Sequence, residues 1–217
     1  MTTYQKQVDK NAYNTGKYET IERFSSYFHQ QRILGELISK LSEKKETISI
    51  LEIGTGSAFL KNYICINYPN VQYKTLDFAD DLKPDYLCSM TEIDSVVKEK
   101  FDIVCAFQVL EHVQYADAMA TISKIGNITD NLIISLPYVR LYFSLRLKIS
   151  ALRALNFLLS LPFPMKHKFD GQHYWELGTK GYPLDGFRKN AGKEFNLVDE
   201  FSDNLNPWHR FFVLSKR

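Results

Sequence analysis

The middle of the sequence alternates short apolar runs with longer segments of helical spacing. Parallel strands need a crossover between them, usually a helix, so this alternation predicts an α/β fold with helices on both faces of a mostly parallel, doubly wound sheet. Five runs have the length and the β-branched or aromatic content of buried strands: 48–53, 71–77, 85–90, 101–107 and 131–137.

Two further runs at the C-terminus complete the predicted sheet. Residues 194–202 and 209–217 are close enough in sequence to pair as an antiparallel hairpin at the sheet edge. Together with the first five runs they give about seven strands, in a domain that we expect to span residues 46–217.

Apolar residues at helical spacing from Ile21 to Leu41 predict a helix before the sheet, and we expect residues 1–45 to form an N-terminal helical flap. Several ring side chains of this segment would either cover the functional site or pack into the core. They are Tyr13, Tyr18, Tyr27 and His29.

Residues 138–169 interrupt the strand pattern after the fifth run. Six apolar side chains at spacings of three and four predict a helical insert, a lid over the site: Leu141, Leu145, Ile149, Leu152, Leu155 and Leu159. Between Asn131 and Phe169 there are six cations and no Asp or Glu. The longest uncharged run is broken by Pro162 and Pro164 and is too short to span a bilayer.

Composition excludes several classes of protein. The chain has 217 residues, 45% of them hydrophobic, and a formal net charge of +2, which is far from the basic excess of a dedicated nucleic-acid binder. The start lacks an apolar stretch after its charges, so we expect no secretory signal and a cytoplasmic protein with reduced cysteines. Histidines and carboxylates show no metal-ligand spacing on a helix, so no metal is expected.

The turn after the first strand, "ILEIGTGSAF" at 50–59, carries the clearest chemical signal. Gly54 and Gly56 permit a tight turn and a close ligand approach. A dinucleotide fingerprint would need a third glycine where Phe59 stands, and the carboxylate of Glu52 would repel a pyrophosphate. Asp77 ends the second strand, where an acid suits ribose hydroxyls. A nucleoside with a cationic arm and no phosphate, such as S-adenosyl-L-methionine, fits both acids.

Five segments in this order resemble the class I (Rossmann-like) S-adenosylmethionine-dependent methyltransferases of the small-molecule branch. Glu52, Gly54 and Gly56 match the family's first motif, with Ala58 in place of its third glycine. The other segments are "YKTLD" ending at Asp77, "DYLCSMTEI", "FDIVCAFQVLEHV" and "LIISLP". The resemblance covers about residues 46–137 and 170–217.

The resemblance implies S-adenosyl-L-methionine as cofactor, S-adenosyl-L-homocysteine as product, and a set of cofactor-binding residues. They are Glu52, Gly54, Thr55, Gly56, Asp77, Phe78, Ser89, Met90 and Gln108. The residues taken alone leave simpler interpretations open: an ordinary strand-to-helix turn for the glycines, a helix cap for Asp77, and a surface amide for Gln108.

Three residues are candidates for chemistry on the methyl acceptor. The resemblance places His173 at the mouth of the acceptor pocket, and an imidazole with a pKa near 6.5 suits a general base. Glu111 and His112, after the fourth strand, are catalytic or only fix the turn they stand on. His173 would otherwise be hydrogen-bonded among Tyr174 and Trp175.

The predicted function is methyl transfer from S-adenosylmethionine to a small molecule, by in-line attack and mainly through alignment of the reactants. The cation-only insert suits an acidic or lipid-linked acceptor, or contact with an anionic membrane through 139–168; a plain lid or a homodimer interface is the alternative. Rival functions are a non-catalytic cofactor-binding relative, a partner subunit, and a nicotinamide-dependent oxidoreductase. Nucleic-acid methylation is not expected, because "AFQVLEH" stands where an Asn-Pro-Pro-aromatic signature would be.

Overall fold

The computed structural model describes residues 19–163, 165–169 and 171–217. Tyr13 and Tyr18 lie outside the described residues, so their predicted place in a flap stays a prediction. The strands of the described chain are β1 (Ile48–Ile53), β2 (Val71–Asp77), β3 (Tyr86–Leu87), β4 (Ile103–Phe107), β5 (Asn131–Pro137), β6 (Leu141–Leu147), β7 (Leu155–Leu161), β8 (Phe195–Ser202) and β9 (His209–Lys216).

The helices of the described chain are α1 (Ile21–Ser42), α2 (Phe59–Asn67), α3 (Ile93–Val96), α4 (Tyr115–Ile125) and α5 (Leu184–Ala191). Short 3₁₀ turns stand at Asp80–Leu82, Met90–Glu92 and Leu110–His112. Among these described helices, none combines the length and the apolar character needed to cross a membrane.

Seven strands form one sheet in the order β3-β2-β1-β4-β5-β9-β8. The first five run parallel, and β9 and β8 add the antiparallel hairpin at the edge, so the predicted doubly wound sheet is confirmed. One run is much shorter than predicted. The run 85–90 forms a strand only over Tyr86–Leu87, because the Ser89 hydroxyl accepts the Thr91 N–H and starts a turn.

Both faces of the sheet are covered by helices and by buried apolar side chains. On one face α1 and α2 contribute Leu34, Ile38 and Ile64, all 1% exposed or less. On the other face Trp175, Phe187 and other side chains pack against the sheet beside α4 and α5. The helix α1 is therefore part of the core of this domain.

The helical insert predicted for residues 138–169 is wrong. The strands β6 and β7 pair antiparallel from Leu141↔Leu161 to Leu147↔Leu155 and form a separate two-stranded ribbon. Leucines four residues apart satisfy a helical stripe, but they also satisfy an alternating strand, and Phe143 and Leu147 complete that alternation. The spacing alone could not separate the two structures.

One face of the ribbon is entirely apolar and points away from the protein. Its eight side chains are each 47–67% exposed: Leu141, Phe143, Leu145, Leu147, Leu155, Phe157, Leu159 and Leu161. The opposite face is tied to the segment before β9, because Arg140 donates to the Ser160 hydroxyl (3.2 Å) and to the Pro207 carbonyl (3.1 Å). The ribbon thus holds a continuous apolar surface that no described residue covers.

Candidate active site

A cleft opens at the carboxyl ends of β1, β2 and β4, where the strand order reverses. Open α/β sheets bind their ligands in this crevice. The turn after β1, the ends of β2 and β4, and one face of α1 line it. All the cofactor-binding residues predicted from the sequence lie on its wall: Glu52, Gly54, Thr55, Gly56, Asp77, Phe78, Ser89, Met90 and Gln108.

The turn after β1 needs its glycine at position 54. Gly54 has φ +84°, and a Cβ there would lie 2.4 Å from Cγ2 of Val109 on the neighbouring turn. Any side chain would clash as well as force an unfavourable backbone conformation. Ala58, in place of the third glycine, also has a left-handed backbone, with φ +57°, and begins α2 without a side-chain cap.

Glu52 offers the cleft a carboxylate that the protein only partly satisfies. It is 6% exposed, is hydrogen-bonded to Tyr73, and has one carboxylate oxygen, Oε2, without a partner among the described residues. Burial raises the pKa of Glu52 to about 8. A cationic ligand group would ionise it and supply the missing partner.

Asp77 joins the end of β2 to the glycine turn. One carboxylate oxygen accepts the Thr55 N–H (2.9 Å) and the other accepts the Ala79 N–H (3.0 Å). The sequence left open whether Asp77 caps backbone or binds ribose, and the structure shows that it does bind backbone. Each carboxylate oxygen has a second lone pair, so both can still accept a hydroxyl from a ligand.

The wall after β2 carries two large apolar side chains. Phe78 is 40% exposed and Met90 is buried, and both line the cleft. The Ser89 hydroxyl accepts the Thr91 N–H, so it caps the 3₁₀ turn that carries Met90.

Gln108 follows β4 in an uncommon backbone conformation. Its φ is +55°, its N–H donates to the Ser135 carbonyl (3.0 Å), and its side-chain amide donates to the Ser135 hydroxyl (3.2 Å). A left-handed residue other than glycine is typical of functional sites, where the surrounding structure holds it in place. Gln108 is half-buried on the cleft wall and is therefore more than a surface amide.

Sequence reasoning missed most of the wall that α1 supplies. Arg23, Ser26 and Gln30 line the cleft from this helix, and Tyr27 stacks on Phe59 with ring centroids 4.5 Å apart. The packing of α1 against the site is a tertiary fact, and the sequence indicates only Tyr27 and His29 of this helix as possible site residues.

His209 also lines the cleft, which the sequence did not indicate. Its Nδ1 lies 2.7 Å from the Ser26 hydroxyl, which in turn donates to Asp203. Burial lowers the pKa of His209 to about 4. The imidazole is therefore neutral near pH 7 and links α1 to β9.

The three residues predicted for acceptor chemistry lie together beside the cleft. Glu111, His112 and His173 each place a side-chain N or O atom within 4.8 Å of the others, and the two imidazole centroids are 5.1 Å apart. His112 lines the cleft itself. Tyr174 N–H donates to the Glu111 carbonyl (2.9 Å) and the Trp175 indole donates to the Val113 carbonyl (3.0 Å), which bring the two segments together.

Glu111 and His173 have different surroundings within this trio. Glu111 is fully buried, and neither carboxylate oxygen has a hydrogen-bond partner among the described residues. Burial raises the pKa of Glu111 to about 7. His173 is held by Glu176, whose carboxylate lies 2.7 Å from its Nδ1, while His167 lies 3.7 Å from the same carboxylate.

Comparison with known proteins identifies similar folds but no relative by sequence. No family model and no curated protein matches the chain. Three solved structures are similar over nearly its whole length. The sugar N-methyltransferase KedS8 from a Streptoalloteichus species has a TM-score of 0.58 and 11% identity, over 100% of this chain and 95% of that chain. DesVI from Streptomyces venezuelae has a TM-score of 0.57 and 11% identity, over 97% of this chain and 99% of that chain. Magnesium protoporphyrin IX methyltransferase ChlM from Synechocystis with bound SAM has a TM-score of 0.56 and 13% identity, over 97% of this chain and 98% of that chain.

These similarities show that the chain has the Rossmann-like fold of the class I S-adenosylmethionine-dependent methyltransferases. The fold expected from the glycine turn and its four companion segments is confirmed.

We predict that Glu52→Gln changes how the free energy of unfolding depends on pH. The pKa of Glu52 is about 8 in the folded protein and near 4.5 in the unfolded chain. At pH values between these two, the folded state therefore binds more protons than the unfolded state. The stabilisation that this proton provides is complete below the pKa of the unfolded chain. It is lost as the pH rises through the pKa of the folded protein. Relative to wild type, the variant should gain on the order of 3 kcal/mol between about pH 5 and about pH 9.

Urea unfolding at both pH values measures this difference. Glu36→Gln, at an exposed glutamate of α1, is the matched control. If the gap between wild type and Glu52→Gln is the same at both pH values, Glu52 is ionised in the folded protein and the prediction is wrong.

Proposed function

We propose that the protein is an S-adenosylmethionine-dependent methyltransferase acting on a small molecule. The observation that carries this proposal is a buried Glu52 with one oxygen that has no partner in the described part of the chain, beside a glycine turn that admits no Cβ at Gly54. A carboxylate in this place favours a ligand with a cationic arm and disfavours a phosphate.

The residues on the cleft wall fit each part of the cofactor. Glu52 would bind the ammonium group and Asp77 the ribose hydroxyls, through the lone pairs that its backbone partners leave. Phe78 and Met90 would enclose the adenine, and the Gln108 amide would face the methionine moiety. When bound, the cofactor would supply a methyl group on a sulfonium, open to in-line displacement by the acceptor.

The structural neighbours support the same proposal. ChlM structures contain SAH or SAM, and KedS8 is named as a sugar N-methyltransferase. These ligands and activities belong to those proteins. Their fold and the acids of the present cleft together favour the same cofactor here.

The nicotinamide alternative fits the cleft less well. Phe59 stands where a dinucleotide turn needs its third glycine, and its ring contacts both Phe24 and Tyr27, at centroid distances of 5.7 and 4.5 Å. This aromatic cluster covers the start of α2, where a pyrophosphate would need to approach backbone N–H groups. A non-catalytic cofactor-binding relative would keep the same cleft, and only turnover separates it from an enzyme.

We predict that S-adenosylhomocysteine binds this cleft and that Asp77→Asn weakens binding at least about tenfold, because a charged acceptor is worth roughly 1.5–3 kcal/mol per hydrogen bond. Titration calorimetry measures the dissociation constant. Asp80→Asn is the matched control, since Asp80 is exposed in the next turn and does not line the cleft. Binding of reduced nicotinamide cofactors but not of S-adenosylhomocysteine would refute the proposed function.

We further propose that the acceptor is an anionic amphiphile reached at a membrane surface through the ribbon β6–β7. The ribbon presents eight exposed apolar side chains on one face. Arg146, Lys148 and Arg153 stand at or next to its turn, and no Asp or Glu occurs between Asn131 and Phe169. An apolar face with only cations around it complements the headgroups and the outer acyl region of an anionic bilayer.

We predict that the protein binds vesicles containing phosphatidylserine, and that binding falls with added salt. Arg146→Glu with Arg153→Glu should reduce the partition coefficient at least about 30-fold, because each cation contributes about 1 kcal/mol near such a surface. Phe143→Ser with Phe157→Ser should reduce it by removing apolar burial. Vesicle sedimentation measures both effects.

Two matched controls use exposed residues elsewhere: Lys40→Glu with Lys44→Glu for charge, and Val198→Ser for apolar area. Equal vesicle binding by the ribbon variants and the wild type would contradict the membrane proposal. So would a stable dimer without lipid that the two Phe→Ser changes dissociate, since a second copy would then cover the apolar face.

A further inference from the structure

Glu111, His112 and His173 together have the composition of a metal site. Each brings one ligand atom within 4.8 Å of the other two. We propose that these three side chains bind a divalent transition-metal ion at the mouth of the cleft, beside the bound acceptor. Two imidazoles and one carboxylate form a donor set typical of first-row divalent ions that keep open coordination positions.

A bound metal ion would draw the three ligand atoms closer together. Two ligand atoms that each lie about 2.1 Å from a metal are about 3.4 Å apart at a tetrahedral angle. The separations of up to 4.8 Å within the trio would therefore close by up to about 1.4 Å through rotation of the side chains. The backbone around the trio is already fixed, since Tyr174 N–H and the Trp175 indole donate to carbonyls on the segment of Glu111 and Val113.

Glu111 supplies the strongest single argument. A fully buried carboxylate with both oxygens unpartnered among the described residues is costly, and native proteins retain such groups where a role requires them. A cation bound to this carboxylate would compensate that cost. The carboxylate would then act as a ligand, and its burial would hold it in one position.

Each imidazole has a partner at Nδ1 of the kind that metal-binding histidines have. Nδ1 of His173 lies 2.7 Å from the Glu176 carboxylate, and Nδ1 of His112 lies 3.2 Å from the Gln172 carbonyl. Metal-ligating histidines usually donate one ring N–H to a carboxylate or a backbone carbonyl, which fixes the tautomer and points the other nitrogen at the metal.

The metal site would take part in the proposed methyl transfer, so its role rests on the proposed function. His112 lines the cleft, so an ion held by the trio would contact a hydroxyl of the acceptor. Coordination lowers the pKa of a bound hydroxyl, whose proton would pass to solvent at the mouth of the cleft. His173 would then be a ligand, in place of the general base expected from the sequence.

Calorimetric titration of Mn²⁺ and of Zn²⁺ into EDTA-treated protein tests the site directly. We expect one ion per chain, and Glu111→Gln and His173→Gln should each weaken binding at least about tenfold. His29→Gln, at a histidine that contacts Asp203 on another part of the protein, is the matched control and should bind the ion as wild type does. The circular dichroism of each variant checks its folding, and either variant alone suffices if the other fails to fold.

The absence of binding by both ions, or equal binding by folded Glu111→Gln or His173→Gln protein, would overturn the metal site. Calorimetry with S-adenosylhomocysteine on the same samples separates this failure from failure of the proposed function. S-adenosylhomocysteine binding without metal binding removes the metal site alone. Metal binding without S-adenosylhomocysteine binding would remove the methyltransferase proposal and leave a metal site of another function.

Discussion

The close approach of two turns, the one after β1 and the one after β4, is the constraint on which the cleft depends. Gly54 leaves room for Val109, and a single methyl group would close that room. Because β1 and β4 are neighbours in the sheet, their carboxyl ends stand side by side and both turns face the same ligand space. The contact holds the turn that follows Glu52 against the turn that begins at Gln108.

Asp77 extends this constraint to the third strand. Its carboxylate binds the N–H of Thr55 in the glycine turn and the N–H of Ala79 at the end of β2, so the walls of the cleft are hydrogen-bonded to one another. The same side chain thus builds the site and offers lone pairs to the ligand. The structural role of Asp77 is thus confirmed, and its binding of ribose stays a prediction.

The sequence predicted the sheet well, because buried parallel strands form near-continuous apolar runs and because crossovers impose the alternation. It predicted the ribbon wrongly, since leucines four residues apart fit a helix and a strand equally, and nothing local favoured one. It named Glu111, His112 and His173 but could not place them together. Their contact depends on hydrogen bonds between segments about 60 residues apart in the chain, which no local pattern encodes.

The ribbon and the segment that carries His173 are joined by a short chain of contacts. His173 lies 6.2 Å from the Trp208 ring, and the Trp208 carbonyl accepts the N–H of Tyr138, the residue directly after β5. Arg140 then packs over the Tyr138 ring at 4.6 Å and begins the ribbon. The exposed apolar face of the ribbon and the buried Glu111 are therefore connected through the packing of the same few residues. The two features call for different partners, because an apolar surface is covered by apolar groups and a buried carboxylate is compensated by a cation.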